Sequence, residues 1–235
     1  MRPLVGFASA LALDASARDD LGDDLLMEAA AVGMAAAIDA DPALRKAAAS
    51  GSPSIAAVCG GGNNAGDALA VLRRLAFSGW KDLVALVPDS LGPLASRRLA
   101  EAGLAGARVI GLGDDAAHEA VARAGVVLDG LSGVGFKGPA RAALVQAAAL
   151  IASARGPVVS MDVPSGVGAL GSVAADPSAP VCADITLCVE PLKAELYYPG
   201  FRPYAGRILP IGGVFDRSAG AASTMVLLEP GDLED

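Results

Sequence analysis

The chain of 235 residues carries a formal net charge of -8, and 53% of its residues are hydrophobic although only 4% are aromatic. This length suffices for one large α/β domain with a core of small aliphatic side chains. The negative charge argues against nucleic-acid and anionic-membrane partners, because both need a basic face. No apolar stretch of the sequence is long and uninterrupted enough to span a bilayer. We therefore expect a cytoplasmic protein that binds neither nucleic acid nor membrane.

The N-terminal segment has some features of an export signal. Arg2 precedes an apolar segment at residues 3–13, and small residues follow it. However, only one basic residue precedes the segment, Gly6 and Ser9 interrupt it, and Asp14 comes directly after it. We therefore do not expect this segment to direct export.

Cysteine and histidine, which commonly bind transition metals, are few. The three cysteines, at positions 59, 182 and 188, form no C-x-x-C pair. Two of them lie in predicted strands and Cys182 at the start of one, so we expect buried, reduced thiols. The single histidine, His118, falls on a predicted exposed helix, where we expect an ordinary surface residue.

Short apolar runs alternate with helical patterns along most of the chain. The predicted strands are residues 55–59, 83–87, 107–110, 126–128 and 157–161, followed by 185–189, 207–210 and 225–228. The predicted helices are residues 25–38, 94–102, 114–124 and 141–153, with a further helix that runs from Ala68 onward. This alternation predicts a mostly parallel sheet with helices on both faces. No linker or repeat marks a second domain, so we expect residues 1–235 to form a single domain.

The most informative stretch follows the first of these strands and reads Gly60-Gly61-Gly62-Asn63-Asn64-Ala65-Gly66-Asp67. A P-loop is excluded, because aspartate rather than lysine follows the last glycine. A dinucleotide-binding fingerprint fits loosely, with Asp89 as the acid that would bind the ribose. In a third interpretation Asn63, Asn64 and Asp67 bind sugar hydroxyls, an amide or a cation, since the aspartate would repel a phosphate. In a purely structural interpretation, the same side chains turn the chain and cap the helix.

Two more polar loops follow later strands. Residues 129–139 come after the fourth predicted strand, and Asp162-Val163-Pro164-Ser165-Gly166 comes after the fifth. Right-handed crossovers and the common strand order 3-2-1-4-5 place the first, fourth and fifth strands side by side. The three loops then open into one crevice, so we expect a ligand site at this edge of the sheet.

Together these loops resemble the NAD(P)HX epimerase family, also called the YjeF N-terminal domain family. That family carries G-x-G-N-N-G-G-D-G after its first strand, an acid followed by G-x-G, and then D-[IV]-P-S-G. The corresponding stretches here are residues 60–68, Asp129 with Gly133-Val134-Gly135, and residues 162–166. Residues 26–30, 183–186 and 191–193 similarly resemble the family's L-M-E-x-A, A-D-x-T and P-x-K segments. The resemblance covers residues 25–212, and its departures are Ala65 and Ala68 in place of glycines.

The resemblance implies an α/β/α sandwich of Rossmann type that is commonly a homodimer and binds K⁺. It also implies an epimerase that interconverts the R and S forms of hydrated NADH and NADPH, so that a partner dehydratase can use the S form. The implied K⁺ ligands are Asn64, Asp129 and Ser165, whose oxygens are the hard ligands that such an ion prefers. The implied substrate-binding residues are Asn63, Asn64, Ala65, Gly66, Asp67, Gly133, Val134, Gly135, Phe136, Lys137, Gly138, Pro139 and Asp162.

Asp162 is the candidate catalytic residue. Epimerisation requires a proton to move on or off the ring or its hydroxyl group, and a carboxylate in a partly dry crevice can do this. The structural alternative is that Asp162 only orders the turn at residues 164–166. Lys193 and Asp67 are both candidates for a second proton-transfer group.

Two other functions compete with the epimerase. A binding module of the same fold would be favoured by loss of Asn64, Asp129, Asp162 or Ser165, all of which are present. An NAD-dependent dehydrogenase would need a redox base elsewhere, and His118 is badly placed for one. We further expect no dehydratase domain in this chain, although its acidic end resembles the start of a fusion linker. We expect a homodimer that makes contact near the alanine-rich helix at residues 29–37.

Overall fold

The computed structural model describes residues 2–136, 141–167, 180–215 and 223–228. Within these ranges the strands are β1 (Arg2–Val5), β2 (Ile55–Cys59), β3 (Leu83–Val87), β4 (Arg108–Gly111), β5 (Val126–Gly130), β6 (Val158–Met161), β7 (Ile185–Val189), β8 (Leu192–Lys193), β9 (Arg207–Ile211) and β10 (Met225–Leu227). The α-helices there are α1 (Phe7–Leu21), α2 (Asp23–Ala40), α3 (Pro42–Ser50), α4 (Asn63–Phe77), α5 (Pro93–Leu104), α6 (Asp115–Arg123), α7 (Ala142–Ala152) and α8 (Arg202–Ala205).

In the described part of the chain, seven strands form the main sheet in the order β4-β3-β2-β5-β6-β7-β9. Every pairing in this sheet is parallel. The predicted 3-2-1-4-5 order is therefore confirmed, and β5 lies between β2 and β6. The carboxyl ends of these three strands meet at one edge of the sheet.

Helices cover both faces of the sheet. Ile55, Ala57 and Cys59 of β2 pack in a core with α2, α3, α4 and α5, whereas Ala56 and Val58 pack in a second core with α6 and α7. This alternation follows from the period of two along a strand, and burial on both faces explains why β2 is continuously apolar. The three-layer α/β/α arrangement is thus confirmed.

A second, three-stranded sheet has the order β10-β1-β8. In it β1 is antiparallel to β10 and parallel to β8, with Val5 opposite Lys193. The strand predicted at residues 225–228 therefore lies outside the main sheet. Residues 3–13, which have the apolar character of an export signal, form most of β1 and the first half of α1. No helix of the described residues is long and apolar enough to cross a membrane.

Several local features of the structure differ from expectation. Helix α4 begins at Asn63 rather than near Ala68, with Gly62 as its N-cap, so Asp67 lies inside the helix. Helix α3 was not predicted, although Asp41 caps it by accepting hydrogen bonds from the N–H groups of residues 43 and 44. The expectation of three buried thiols is wrong for Cys182, which is exposed, whereas the other two cysteines are buried. His118 lies exposed on α6, as expected.

Candidate functional site

A cavity of about 320 Å³ lies at the carboxyl ends of β2, β5 and β6. Its wall combines the first turns of α4, the loops that follow β5 and β6, the segment around β8, and one side each of α1 and α2. The polar side chains that line it are Asp14, Arg18, Asp23, Asn63, Asn64, Asp67, Asp162 and Lys193. The predicted convergence of three loops at this edge thus produces a concave site.

The loop after β2 approaches the loop after β5 closely. The backbone N–H of Gly60 donates a hydrogen bond to the carbonyl oxygen of Gly130 at 2.9 Å. A Cβ atom on Gly60 would lie only 2.0 Å from the carbonyl oxygen of Leu131. Glycine is therefore required at position 60 for the two loops to meet.

Asp129, at the end of β5, is completely buried and joins the β5 and β6 loops. Its Oδ1 accepts hydrogen bonds from Ser165 Oγ at 2.5 Å and the Leu131 N–H at 3.3 Å. Its Oδ2 accepts from Ser160 Oγ at 2.7 Å and the Ser165 N–H at 2.9 Å. Burial raises the pKa of Asp129, although the hydrogen bonds from Ser165 and Ser160 oppose this effect.

Asn64 is the second buried polar group of this region, with 8% of its surface exposed. Its Nδ2 atom is buried and has no hydrogen-bond partner. Its side-chain oxygen faces Gly133, where a Cβ atom would approach it to 3.4 Å. Asn64 and Ser165 therefore both contact the loop that follows Asp129, because Ser165 Oγ also accepts a hydrogen bond from the Ser132 N–H at 2.8 Å.

Asp162 follows β6 directly and adopts a left-handed backbone with φ of 62°. Its Oδ1 accepts hydrogen bonds from Lys193 Nζ at 2.6 Å and from the Val189 N–H at 3.0 Å. Lys193 also donates to the Val189 carbonyl oxygen at 2.7 Å. Burial is the largest effect on the pKa of Lys193 and lowers it, but the charge and hydrogen bond of Asp162 and the charges of other nearby groups together outweigh burial, so the pKa lies above its usual value. The carboxylate and the ammonium group thus form a buried ion pair at the cavity wall.

Asp67 faces the same cavity from the second turn of α4. Burial and the negative charges of Asp162 and Asp14 raise its pKa well above the usual range. The structural interpretation of Asp67 as a helix cap is wrong, because the helix begins four residues earlier.

The other predicted substrate-binding residues are placed as follows. Asn63, Asn64, Gly133, Val134 and Gly135 line the cavity together with Asp67 and Asp162. Ala65 and Gly66 are buried inside α4 instead, and a Cβ atom on Gly66 would lie 2.5 Å from the terminal methyl of Met27. Phe136 is half-buried beside the cavity loop. Lys137, Gly138 and Pro139 lie outside the described residues.

The family model described as YjeF-related protein N-terminus matches residues 23–194. The chain belongs to this family. An NAD(P)H-hydrate epimerase of Clavibacter sepedonicus is 35% identical over 191 residues, which cover 78% of this chain and 79% of the relative. A bifunctional NAD(P)H-hydrate repair enzyme of Mycobacterium leprae is 31% identical over 189 residues, which cover 79% of this chain but only 37% of that protein. The crystal structure of yeast YNL200c shares the fold, with a TM-score of 0.70 at 18% identity over 97% of each chain.

The two alanines that replace family glycines do not line the cavity. Ala65 and Ala68 are completely buried in the core. The methyl group of Ala68 faces Gly130, where a Cβ atom would lie only 2.7 Å away. Neither departure from the family motif therefore adds a side chain to the cavity wall, and Ala68 contributes to packing between α4 and β5.

Sequence reasoning missed the part of the wall that precedes the family match. Asp14 and Arg18 on α1 form an ion pair within one turn of helix, and Arg18 Nε lies 3.0 Å from Asp23 Oδ1 at the start of α2. The spacing of Asp14 and Arg18 by four residues was the available signal, since such pairs face each other on a helix. The sequence does not indicate that this pair lies at the site, because its position depends on the pairing of β1 with β8.

Proposed function

We propose that this chain is an NAD(P)H-hydrate epimerase that interconverts the R and S forms of hydrated NADH and NADPH. The observation that carries this proposal is the cavity in which Asp162, bonded to Lys193, faces Asn63, Asn64 and Asp67. Family membership and the printed function of the Clavibacter sepedonicus relative support it. The dehydrogenase alternative lacks such support, because Asp89 and His118 are both exposed and neither is among the residues that line this cavity.

Asp162 is the proposed proton-transfer residue. The ammonium group of Lys193 and the N–H of Val189 hold the carboxylate in a fixed position at the cavity wall, where it can accept a proton from a bound substrate. Asp162 has a left-handed backbone conformation, and its side chain contacts both donors. The turn that follows Asp162 places Ser165 in contact with Asp129. The interpretation of Asp162 as only a turn-ordering residue has less support, because its side chain bonds to β7 and β8.

The residues near Asp129 fit a bound K⁺ ion. The Asp129 carboxylate is fully buried and has no cationic partner among the described residues. The buried Asn64 amide has an atom without a partner, and a half-turn of the amide places its oxygen, a cation ligand, at that position. One carboxylate with neutral oxygens from Asn64 and Ser165 suits a monovalent ion better than Mg²⁺, which favours more carboxylate and a tight octahedron. When bound, K⁺ would supply the positive charge that Asp129 lacks.

We also propose that these residues form a single domain that acts in the cytoplasm, with an NAD(P)HX dehydratase as its functional partner. The Mycobacterium leprae relative is described as a bifunctional NAD(P)H-hydrate repair enzyme, which supports a second repair activity beside the epimerase, and three free cysteines suit a reducing compartment. The proposed homodimer has a candidate surface on α2, where Leu25, Ala29, Val32 and Ala36 follow a heptad spacing on the outer face. Leu25 is 55% exposed and Val32 is 47% exposed. Light scattering that shows a concentration-independent monomer would contradict the dimer.

The decisive experiment incubates R-NADHX with the purified chain and an S-specific dehydratase. We expect faster consumption of the R form with wild type, and loss of this effect with Asp162→Ala. Cation binding is measured separately, as the rise in Tm when choline chloride is replaced by KCl at equal ionic strength. Asp129→Ala should lose both the K⁺-dependent rise and the activity, whereas Asp162→Ala should keep the rise. No effect of wild type on the R form would exclude the epimerase function.

A further inference from the structure

Two aspartates of the cavity have opposite surroundings. Asp162 is held by the Lys193 ammonium group at 2.6 Å. Asp67 faces the same cavity from α4, and within the described residues its carboxyl group takes part in no ion pair or hydrogen bond. We propose that Asp67 is a second catalytic residue, which donates a proton to the substrate while Asp162 accepts one. This inference rests on the proposed epimerase function.

The charges of the cavity single out Asp67. Four carboxyl groups and two cationic groups line the wall. Arg18 pairs with both Asp14 and Asp23, and the ammonium group described above pairs with Asp162. The two cationic groups therefore form ion pairs with three of the four carboxyl groups. Asp67 is the carboxyl group that has no cationic partner in the described ranges.

The surroundings of Asp67 favour its protonated form. Burial and the facing carboxylates of Asp162 and Asp14 raise its pKa, and the positive charges of Arg98 and Lys193 offset this only in part. A carboxyl group that keeps its proton at neutral pH can donate it, whereas a carboxylate paired with an ammonium group can accept one. Neighbouring acids with such opposite environments divide the two roles of acid–base catalysis between them.

Lys193 is not the proton donor, although it faces the same cavity. Its Nζ donates to Asp162 and to the Val189 carbonyl oxygen, at 2.6 and 2.7 Å. Its pKa lies above the usual lysine value of 10.5, because burial, the largest effect, is outweighed by the charge and hydrogen bond of Asp162 together with the charges of other nearby groups. An ammonium group with so high a pKa is a weak acid at neutral pH. We therefore assign it to holding Asp162.

The assignment gives a balanced reaction. The carbon that inverts carries a hydroxyl group and is bonded to the ring nitrogen. Asp162 takes the hydroxyl proton, the oxygen forms a carbonyl bond, and the bond between carbon and nitrogen breaks with its electron pair left on nitrogen. The nitrogen takes the proton of Asp67. The carbonyl group then rotates so that its other face points toward the nitrogen. The nitrogen attacks the carbonyl carbon, the nitrogen proton returns to Asp67, and the oxygen regains the proton from Asp162.

Asp67→Asn tests this role, with Asp115→Asn on the exposed surface of α6 as the matched control. All measurements use potassium-containing buffer and R-NADHX. We expect kcat to fall roughly 10²–10⁴-fold in Asp67→Asn, as for loss of a general acid, with a much smaller change in KM. Asp67→Glu should restore part of the lost kcat, and Asp115→Asn should match wild type.

Two readouts separate proton donation from a structural role. The kcat of wild type should fall as the pH rises through the raised pKa of Asp67, and this fall should be absent from the residual activity of Asp67→Asn. The infrared difference spectrum between wild type and Asp67→Asn at neutral pH should contain the band of a protonated carboxyl group. If Asp67→Asn does not fold, the same band should shift in Asp67→Glu.

The inference and the proposed function fail in different ways. Wild type without epimerase activity would reject the proposed function. An active wild type combined with near-normal kcat in Asp67→Asn would overturn the role of Asp67 alone. The same fall of kcat with rising pH in Asp67→Asn as in wild type, or an infrared spectrum with no protonated carboxyl at position 67, would overturn it as well.

Discussion

The ion pair between Lys193 and Asp162 allows a quantitative test of the site. Lys193→Met removes the ammonium group and keeps most of the apolar volume of the side chain. The Lys193 side chain is 5% exposed and that of Asp162 is 16% exposed, so the remaining carboxylate would be largely desolvated. Removal of one partner of a buried pair costs about 3–5 kcal/mol, because the other charge is left uncompensated. The partial exposure of Asp162 to the cavity places our expectation at the lower end, about 3 kcal/mol.

Urea unfolding followed by circular dichroism measures this loss. Lys193→Met, Asp162→Asn and the double variant form a double-mutant cycle, with exposed Lys46→Met as the control. We expect the double variant to be more stable than Lys193→Met alone, since it leaves no unpaired charge. A loss below about 1 kcal/mol in Lys193→Met, or simple additivity in the cycle, would refute the reasoning.

The pH dependence of the same difference has a definite sign. The pKa of Lys193 is higher in the folded protein than its ordinary value of 10.5. Its contribution to stability is therefore complete below that value and is lost as pH rises through the folded-state pKa. The stability difference between wild type and Lys193→Met should stay constant on the alkaline side of neutrality and shrink only in strongly alkaline solution.

Three further outcomes are expected. In the native protein one thiol, that of exposed Cys182, should react with Ellman's reagent at mildly alkaline pH, because burial raises the pKa of Cys59 to about 12; a stoichiometry above one thiol would contradict this. Gly130→Ala should lower the free energy of unfolding by about 1–3 kcal/mol, since its Cβ would lie 2.7 Å from that of Ala68, and Ala68→Gly should reverse part of the loss in urea titrations. Glu28→Gln should lower the free energy of unfolding by roughly 3 kcal/mol in the same assay, because Glu28 forms ion pairs with three arginines on α4 and α5. A loss below about 0.5 kcal/mol would show that these ion pairs contribute little to stability.

The main sheet and the position of the site could be predicted because both depend on local signals. The apolar run at residues 55–59 predicts a buried strand, and the glycines after it predict a loop that approaches another backbone closely. The contact between Gly60 and Leu131 confirms this close approach. The order of the strands followed from the handedness of crossovers. Asp129, Asp162 and Ser165 each stand at a strand end, so their convergence required only that order.

The rest of the site depends on contacts between distant parts of the chain. Asp14 and Arg18 line the cavity because β1 pairs with β8, a pairing of two short strands that no local pattern specifies. The predicted start of α4 was too late because the glycines and two asparagines that precede Ala68 are typical of a loop. Gly62 is the N-cap and provides no side-chain hydrogen bond, so the usual signal of a helix start is absent. The sequence indicated Lys193 only as a candidate proton-transfer group. Its contact with Asp162, 31 positions earlier, depends on the pairing of β6 with β7.

The pairing of β1 with β8 also sets the order in which the site can be assembled during synthesis. The N–H of Phe7 donates to Glu195 Oε1 at 2.7 Å, across 188 positions of the chain. The ribosome therefore releases β1 and α1 long before their partner segment exists, whereas the central strands β2 and β3 can pair early across a short connection. The ion pair of Asp162 must likewise wait for Lys193. A chain that ends before residue 193 therefore contains six of the seven described strands of the main sheet but lacks part of the cavity wall.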